Sequence, residues 1–226
     1  MVQIRATPRP FPAAGLSPAH TALLLIDMQR DFLEPEGYLA AAGYELDGVR
    51  AAIAPARRLL GAARAAGLPV IHTRQGYRPD LREMPAHKRA RVDDGSSPIG
   101  EPGPLGRFLI RGEPGHAIVP ELEPRDDEAV VDKTGCGAFW GTDLAAILSA
   151  AGVGSLIFAG VTTDVCVHST LREARDRGFE CLVARDACGS GDPYAHDAAL
   201  HMVTVEDGVF GVLADADDVC EALRAL

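Results

Sequence analysis

The chain has 226 residues, a length that allows one domain with a substantial hydrophobic core. Hydrophobic residues make up 47% and charged residues 24%, which is typical of a soluble globular protein. The formal net charge of −10 argues against a surface for nucleic acid or anionic membrane. No apolar run approaches the roughly 20 residues that a membrane span requires.

The first 20 residues contain four prolines and lack the apolar region of a secretory signal, so we interpret residues 1–20 as an extended arm. Residues 21–226 are predicted to form one domain. The five cysteines are odd in number and irregularly spaced, which fits a reducing compartment. They include no Cys-x-x-Cys pair, so the spacing of a zinc site is absent. We therefore expect a cytoplasmic protein without cofactor.

Short apolar runs bounded by turn residues predict six strands, at residues 21–27, 68–73, 128–133, 155–159, 179–185 and 208–213. Helical periodicity and capping residues predict a helix after residue 163 and others at 47–66, 142–151, 192–204 and 216–226. This alternation indicates an α/β fold with a mainly parallel sheet. Residues 74–128 are rich in Pro and Gly, and an insertion of this length is typical of a lid, a binding loop or an oligomer contact.

Cys166 follows the fourth predicted strand, at the start of a predicted helix. Backbone N–H groups and the positive end of the helix dipole would then lower the pKa of the thiol and favour the reactive thiolate. The alternative is an inert, buried cysteine in a turn between a strand and a helix.

Two further strand ends carry charged side chains, Asp27 after the first strand and Lys133 at the end of the third. Lys133 precedes Cys166 by about one βαβ unit, so we expect their strands to be adjacent. A cation stabilises a thiolate, and a carboxylate can take the thiol proton and return it to a leaving nitrogen. Together the three side chains are the parts of a covalent acyl-transfer catalyst.

Three blocks resemble the signature blocks of the isochorismatase-like cysteine hydrolases: Leu25 to Phe32, Asp132 to Phe139, and Gly160 to Val167. The resemblance implies a three-layer α/β/α sandwich with a six-stranded sheet, a Cys166-Asp27-Lys133 triad, and often a homotetramer. It also implies a cis peptide between Val161 and Thr162. The backbone N–H groups of Thr162 and Cys166 would then form an oxyanion hole.

Nicotinamidases of this family bind a metal through an Asp/His cluster after the second strand. The corresponding region, from His72 to Arg78, has no Asp-x-His pair. We therefore predict no metal, disfavour nicotinamide as substrate, and interpret His72 as a core residue.

Within the family, the blocks His72 to Leu81, Arg107 to Gly115 and Gly208 to Gly211 are similar to biuret hydrolases. Where those enzymes usually carry Gln, this chain has Glu206. A carboxylate would repel the distal carbonyl of biuret and pair with an amidinium instead. We therefore favour guanylurea as the substrate, with biuret, triuret or another small amide or ureide as alternatives.

Four more side chains are predicted to contact the substrate, each with a structural role as the alternative: Phe32, Phe139, Trp140 and Arg74. Two other functions remain open at this point. The chain could be a catalytically silent binding member of the fold, or a thiol sensor in which Cys136 forms a disulfide with Cys166.

Overall fold

The computed structural model describes residues 2–226, which contain eight strands. The strands are β1 (Thr21–Ile26), β2 (Val70–Gln75), β3 (Pro102–Gly103), β4 (Gly106–Arg107), β5 (Ala129–Lys133), β6 (Ser155–Val161), β7 (Glu180–Gly189) and β8 (Val212–Ala214). Six of them form one sheet in the order β5-β2-β1-β6-β7-β8, and every neighbouring pair is parallel. The short β3 and β4 form a separate antiparallel pair.

The helices connect the strands on both sides of this sheet. They are α1 (Arg30–Leu33), α2 (Tyr38–Ala41), α3 (Asp47–Ala51), α4 (Ile53–Ala65), α5 (Ala86–Asp93), α6 (Leu144–Ala150), α7 (His168–Asp176), α8 (Pro193–Val203), α9 (Val205–Gly208) and α10 (Ala216–Arg224). Single turns of 3₁₀ helix occur at Pro114–His116 and Pro120–Leu122, and a π turn occurs at Thr163–Val167.

Two hydrophobic cores, one on each face of the sheet, make the fold a three-layer sandwich. Strand β1 is buried along its whole length, and its side chains alternate between the two cores. Leu23 and Leu25 pack in the core that includes α4 and α10, whereas Leu24 packs in the core that includes α6 and α7. A continuous apolar strand covered on both faces is the expected centre of a parallel sheet. The predicted α/β/α architecture is confirmed.

Three predicted elements differ from the structure in their bounds by more than two residues, and one of them, the strand predicted at 179–185, continues to Gly189 as β7. The helix predicted at 47–66 is two helices, α3 and α4, which meet at Ala52. Pro55 lacks the N–H that would continue the hydrogen bonding across this junction. The last strand begins at Val212 rather than at residue 208, because left-handed residues from Glu206 to Gly208 turn the chain before it.

The strands of Lys133 and Cys166 are not adjacent, contrary to our expectation. Strands β2 and β1 lie between β5 and β6. Lys133 reaches the site because all six strands point the same way and its long side chain extends across the end of β2.

The N-terminal arm packs on this same domain. Ile4 and Phe11 pair with each other and are fully buried in the core that includes α4. Thr7 pairs with Leu213 of β8, so the arm covers the edge of the sheet. Within residues 2–226, no helix has both the length and the apolar character needed to cross a bilayer.

Candidate active site

Asp27 and Lys133 form a buried ion pair at the carboxyl end of the sheet. Asp27 follows β1 in a left-handed conformation, with φ 48°, which Asp tolerates better than most residues. Lys133 is the last residue of β5. Its Nζ lies 2.7 Å from Asp27 Oδ2, and both side chains are inaccessible to solvent.

The two oxygens of the Asp27 carboxylate have different partners. Oδ1 accepts a 2.6 Å hydrogen bond from the Thr73 hydroxyl, which belongs to the neighbouring β2. The backbone N–H of Asp27 donates to the same hydroxyl at 3.1 Å. Among the described residues, Oδ2 contacts the Lys133 ammonium and accepts no other protein hydrogen bond. Thr73 therefore fixes the carboxylate so that Oδ2 faces the site.

The Lys133 ammonium has three further acceptors: Gln75 Oε1 at 2.9 Å, and the carbonyl oxygens of Gly135 and Cys136 at 3.1 and 3.0 Å. Burial lowers the pKa of Lys133, but the adjacent Asp27 and Cys166 raise it, and the net shift is upward. The ammonium is therefore a fixed positive charge at neutral pH.

Cys166 lies in the π turn between β6 and α7 and is buried. Asp27 and Lys133 are the two charged groups that most affect the pKa of its thiol. Burial raises the pKa of this thiol, Lys133 lowers it and Asp27 raises it, so that the net shift is upward. The lowered pKa expected from the sequence is not found, because burial and the carboxylate outweigh the cation. The resting group is therefore a thiol beside a ready proton acceptor.

The segment from Val161 to Cys166 contains the two residues expected to bind an oxyanion, Thr162 and Cys166. The peptide bond between Val161 and Thr162 is cis. Thr162 and Cys166 both line the cleft described below.

A pair of glutamines that the sequence did not single out supports the triad. Gln29 donates to the carbonyl oxygen of Gln75 at 3.0 Å and accepts from its N–H at 2.6 Å. Gln75 in turn accepts from Lys133 and lines the cleft. The signal available in the sequence was their position, since each follows or ends a strand at the edge that carries the triad.

A cleft of about 370 Å³ opens beside Cys166. This volume is in the lower part of the range for small-molecule sites. Its walls are aromatic or apolar at Phe32, Tyr38, Tyr44 and Ile99 and basic at Lys88 and Arg91. Most of these residues belong to α2, which was not predicted, and to the insertion after β2, for which a lid, a binding loop and an oligomer contact are the alternatives.

Of the five residues predicted to contact substrate, the structure brings only Phe32 to the cleft. Phe139 is buried against Phe179, and the exposed Trp140 lies outside the cleft lining. Arg74 forms an ion pair with Asp132 of the neighbouring strand at 2.8 Å. Glu206 is exposed in the left-handed turn of α9 and does not line the cleft. The contact of Glu206 with substrate therefore stays a prediction, which the cleft of this chain does not support.

The described residues contain no group of three or more His, Cys, Asp or Glu side chains placed to hold a metal ion. His72 is fully buried, and its Nε2 lies 2.9 Å from Glu128. It is a core residue of β2, in the role interpreted from the sequence.

Comparison with known proteins gives the family. The isochorismatase domain model matches residues 21–218. Ureidoacrylate amidohydrolase RutB of Serratia proteamaculans (strain 568) is 32% identical over 225 residues, covering 94% of this chain and 86% of that protein.

Solved structures agree with this match. A cysteine hydrolase from Pseudomonas syringae pv. phaseolicola 1448A aligns with a TM-score of 0.79 at 25% identity, covering 100% of this chain and 98% of that one. N-carbamoylsarcosine amidase from Thermoplasma acidophilum shares the fold, with a TM-score of 0.67 at 24% identity over 88% of this chain and 97% of that one. The chain therefore belongs to the isochorismatase family of hydrolases.

Proposed function

We propose that the protein is a cysteine amidohydrolase that cleaves the terminal carbamoyl C–N bond of a small ureide and releases ammonia. The observation that supports the proposal is the buried Asp27–Lys133 ion pair at the carboxyl end of the sheet, where the cleft lined by Cys166 opens and both charges act on the pKa of its thiol. A nucleophile, a proton acceptor and a fixed cation at one point are the groups that covalent amide hydrolysis requires.

The first step forms the covalent intermediate. Asp27 takes the proton of Cys166, and the sulfur forms a bond to the carbamoyl carbon while the electrons of the C=O bond move to oxygen. Lys133 stabilises the negative charge that the thiol proton leaves behind. The backbone N–H groups of Thr162 and Cys166 donate to the oxyanion.

The second step releases ammonia and restores the enzyme. Protonated Asp27 gives its proton to the leaving nitrogen, the C–N bond breaks, and a thioester of the thiocarbamate type, R–NH–CO–S, remains on Cys166. Asp27 then takes a proton from water, whose oxygen attacks the carbonyl carbon of this thioester. The C–S bond breaks, the product leaves as the N-carboxylated compound, a carbamic acid, and the proton returns to sulfur.

The relatives support a ureide as the substrate class, since RutB proteins are named for ureidoacrylate. Guanylurea was favoured on the sequence because Glu206 was expected to bind its amidine group. Glu206 is exposed outside the cleft of this chain, so it offers no contact for an amidine group there. We therefore propose the ureide class, with guanylurea, biuret and triuret as substrates to be compared.

The test is an ammonia-release assay with biuret, triuret, guanylurea and N-carbamoyl amino acids, using wild type and Cys166→Ala. We expect wild type to release ammonia from at least one ureide and Cys166→Ala to release none. A binding member of the fold would release none in either form. Full turnover by Cys166→Ser would contradict the covalent mechanism.

We also propose that the protein is a cytoplasmic homo-oligomer, a tetramer. Its exposed surface includes large apolar side chains, among them Tyr194 at 83% and Trp140 at 64% exposure, which an interface would cover. All five cysteines are unpaired, as in a reducing compartment. Sedimentation equilibrium should give four times the chain mass of 23.8 kDa, and a single-chain mass would contradict the proposal.

A further inference from the structure

One wall of the cleft carries two positive charges on the same helix. Lys88 and Arg91 are three residues apart on α5, so they lie on one helix face, and both line the cleft. The Lys88 ammonium donates to the Tyr77 hydroxyl at 2.8 Å and to the Thr134 carbonyl oxygen at 3.0 Å. Both acceptors are neutral, and an ammonium has three donors. One N–H of Lys88 is therefore left for a ligand.

Neither cation has a carboxylate within ion-pair distance in residues 2–226. Other arginines of the same insertion do: Arg78 and Arg111 lie near Glu83, and Arg82 lies near Asp80. Lys88 and Arg91 differ from these arginines in that, in the described part of the chain, they have no such partner and both line the cleft. They create a local positive potential that favours an anionic ligand.

The cleft also contains two carboxylates, but they lie on other walls. Asp192 accepts hydrogen bonds from the backbone N–H groups of Tyr194 and Ala195 at the start of α8. Asp164 belongs to the π turn that carries Cys166. The cleft is thus positive on α5 and negative near the nucleophile.

A chain of contacts connects Lys88 with the catalytic cation. Gln75 donates to the Thr134 carbonyl oxygen at 3.1 Å and accepts from Lys133 at 2.9 Å, while Lys88 donates to the same carbonyl oxygen at 3.0 Å. These contacts place the two ammonium groups at most about 11 Å apart, given the size of an amide group. A small ureide with a carboxylate a few bonds from its carbamoyl group can span this distance.

We infer that Lys88, assisted by Arg91, binds a carboxylate at the end of the substrate opposite the carbamoyl group that Cys166 attacks. The inference rests on the proposed function and narrows it: the substrate is an anionic N-carbamoyl compound. A cationic ureide such as guanylurea would meet repulsion at the same wall, and neutral biuret would lack the charged partner.

The experiment compares 3-ureidopropionate with its neutral counterpart 3-hydroxypropylurea, and with biuret and guanylurea. We expect wild type to have its highest kcat/KM with 3-ureidopropionate and its lowest with guanylurea. Lys88→Gln should reduce the ratio of kcat/KM for 3-ureidopropionate to that for 3-hydroxypropylurea by about tenfold or more, since one charge-assisted hydrogen bond is lost. Lys88→Arg should retain most of the ratio.

Arg82→Gln is the matched control, because Arg82 is an exposed cation of the same insertion that does not line the cleft. It should leave the ratio unchanged. Arg91→Gln tests the contribution of the second cation. If Lys88→Gln does not fold, Arg91→Gln is used in its place. An equal effect of Lys88→Gln on both compounds, or a wild-type preference for guanylurea, would overturn the inference while the proposed function held.

A binding measurement separates the two proposals. Calorimetry with 3-ureidopropionate is done on Cys166→Ala with and without Lys88→Gln, where no turnover occurs. Weaker binding after Lys88→Gln would support the carboxylate site, whether or not wild type hydrolyses any of the four compounds. Absence of hydrolysis by wild type would count against the proposed function and not against the site. Equal binding in the two variants would reject the site.

Discussion

At the scale of single residues, the protonated form of the Cys166 thiol is favoured by burial, together with the carboxylate that is proposed to deprotonate it. Burial and the negative charge of Asp27 raise the pKa of the thiol, whereas Lys133 lowers it. A thiolate that was present at all times in a buried site would cost free energy, because its charge would be removed from water. The arrangement instead creates the thiolate only when a carbamoyl carbon is present to react with it.

Replacing Asp27 should therefore increase the reactivity of the Cys166 thiol while it decreases the rate of hydrolysis. Asp27→Asn removes the negative neighbour, so the pKa of Cys166 falls and its alkylation by iodoacetamide at pH 7 becomes faster. Ammonia release should fall by about 10²- to 10⁴-fold, because the proton acceptor and donor is lost. The rates are measured in a Cys136→Ser background, since Cys136 is an exposed thiol in the same cleft.

Lys133→Met should change the alkylation rate of Cys166 in the opposite direction. Without the cation the pKa of Cys166 rises further, so alkylation at pH 7 should be slower than in the parent protein. In all three proteins the alkylation rate should increase as the pH is raised through the pKa of the thiol. Faster alkylation in Lys133→Met, or slower alkylation in Asp27→Asn, would contradict the assigned charges.

At the scale of elements, the sequence predicts the places where β1, β5 and β6 end, and those ends contain the triad. Apolar runs mark buried strands, and polar residues at their carboxyl ends face a common edge. The sequence did not predict which strands are neighbours in the sheet. About one βαβ unit of chain separates Lys133 from Cys166, yet β2 and β1 lie between their strands. Chain distance does not determine which parallel strands become neighbours in a sheet.

The cleft wall was the part least accessible to sequence reasoning. Tyr77, Lys88 and Ile99 belong to an insertion without a clear hydrophobic period, and its path over the site depends on tertiary contacts. Phe139, Trp140 and Arg74 were predicted to contact the substrate, each with a structural role as the alternative. Their side chains are directed instead to Phe179, to solvent and to Asp132.

Helix α7 connects the nucleophile turn to the loop that follows Lys133. The Thr170 hydroxyl donates to the Cys166 carbonyl oxygen at 2.7 Å and accepts from the Ala138 N–H at 3.2 Å. Thr170→Val removes both bonds and leaves buried partners unsatisfied, which should lower the free energy of unfolding by about 2 kcal/mol. It should also lower kcat more than it changes KM, since the nucleophile and the cation lose their shared support.

Ser169→Ala on the same helix is the control, because Ser169 is only half-buried and adjacent in sequence. It should change neither stability nor kcat appreciably. Denaturant unfolding and steady-state kinetics measure the two effects. Full kcat in Thr170→Val, with only stability reduced, would show that the bond is structural alone.

At the scale of the whole molecule, a buried charge cluster connects α4, β2 and the start of β5, away from the carboxyl ends of the strands where the cleft lies. Glu128, just before β5, accepts from Arg64 of α4 at 2.7 Å, and its other oxygen lies 2.9 Å from His72 Nε2 in β2. The Glu128 side chain is only 7% exposed. Burial raises its pKa, but Arg64, the Arg125 N–H and His72 lower it more, to about 2.

This cluster predicts how stability depends on acid. The folded pKa of Glu128 lies below its ordinary value of 4.5, so the carboxylate stabilises the fold above that value, and the contribution disappears as the pH falls towards 2. Burial also lowers the pKa of His72, so protonation of the unfolded chain below about pH 6.5 destabilises the fold in the same direction. The shift of Glu128 corresponds to at most about 3 kcal/mol.

We therefore expect the free energy of unfolding, measured by urea titration at several pH values, to fall steadily between about pH 6 and pH 3. Glu128→Gln should be less stable than wild type at pH 7, and its stability should depend less on pH below 5, because the group that titrates there is gone. Glu121→Gln, which changes an exposed carboxylate in the preceding turn, should retain the wild-type slope. An acid slope in Glu128→Gln as steep as in wild type would assign the acid sensitivity to other carboxylates.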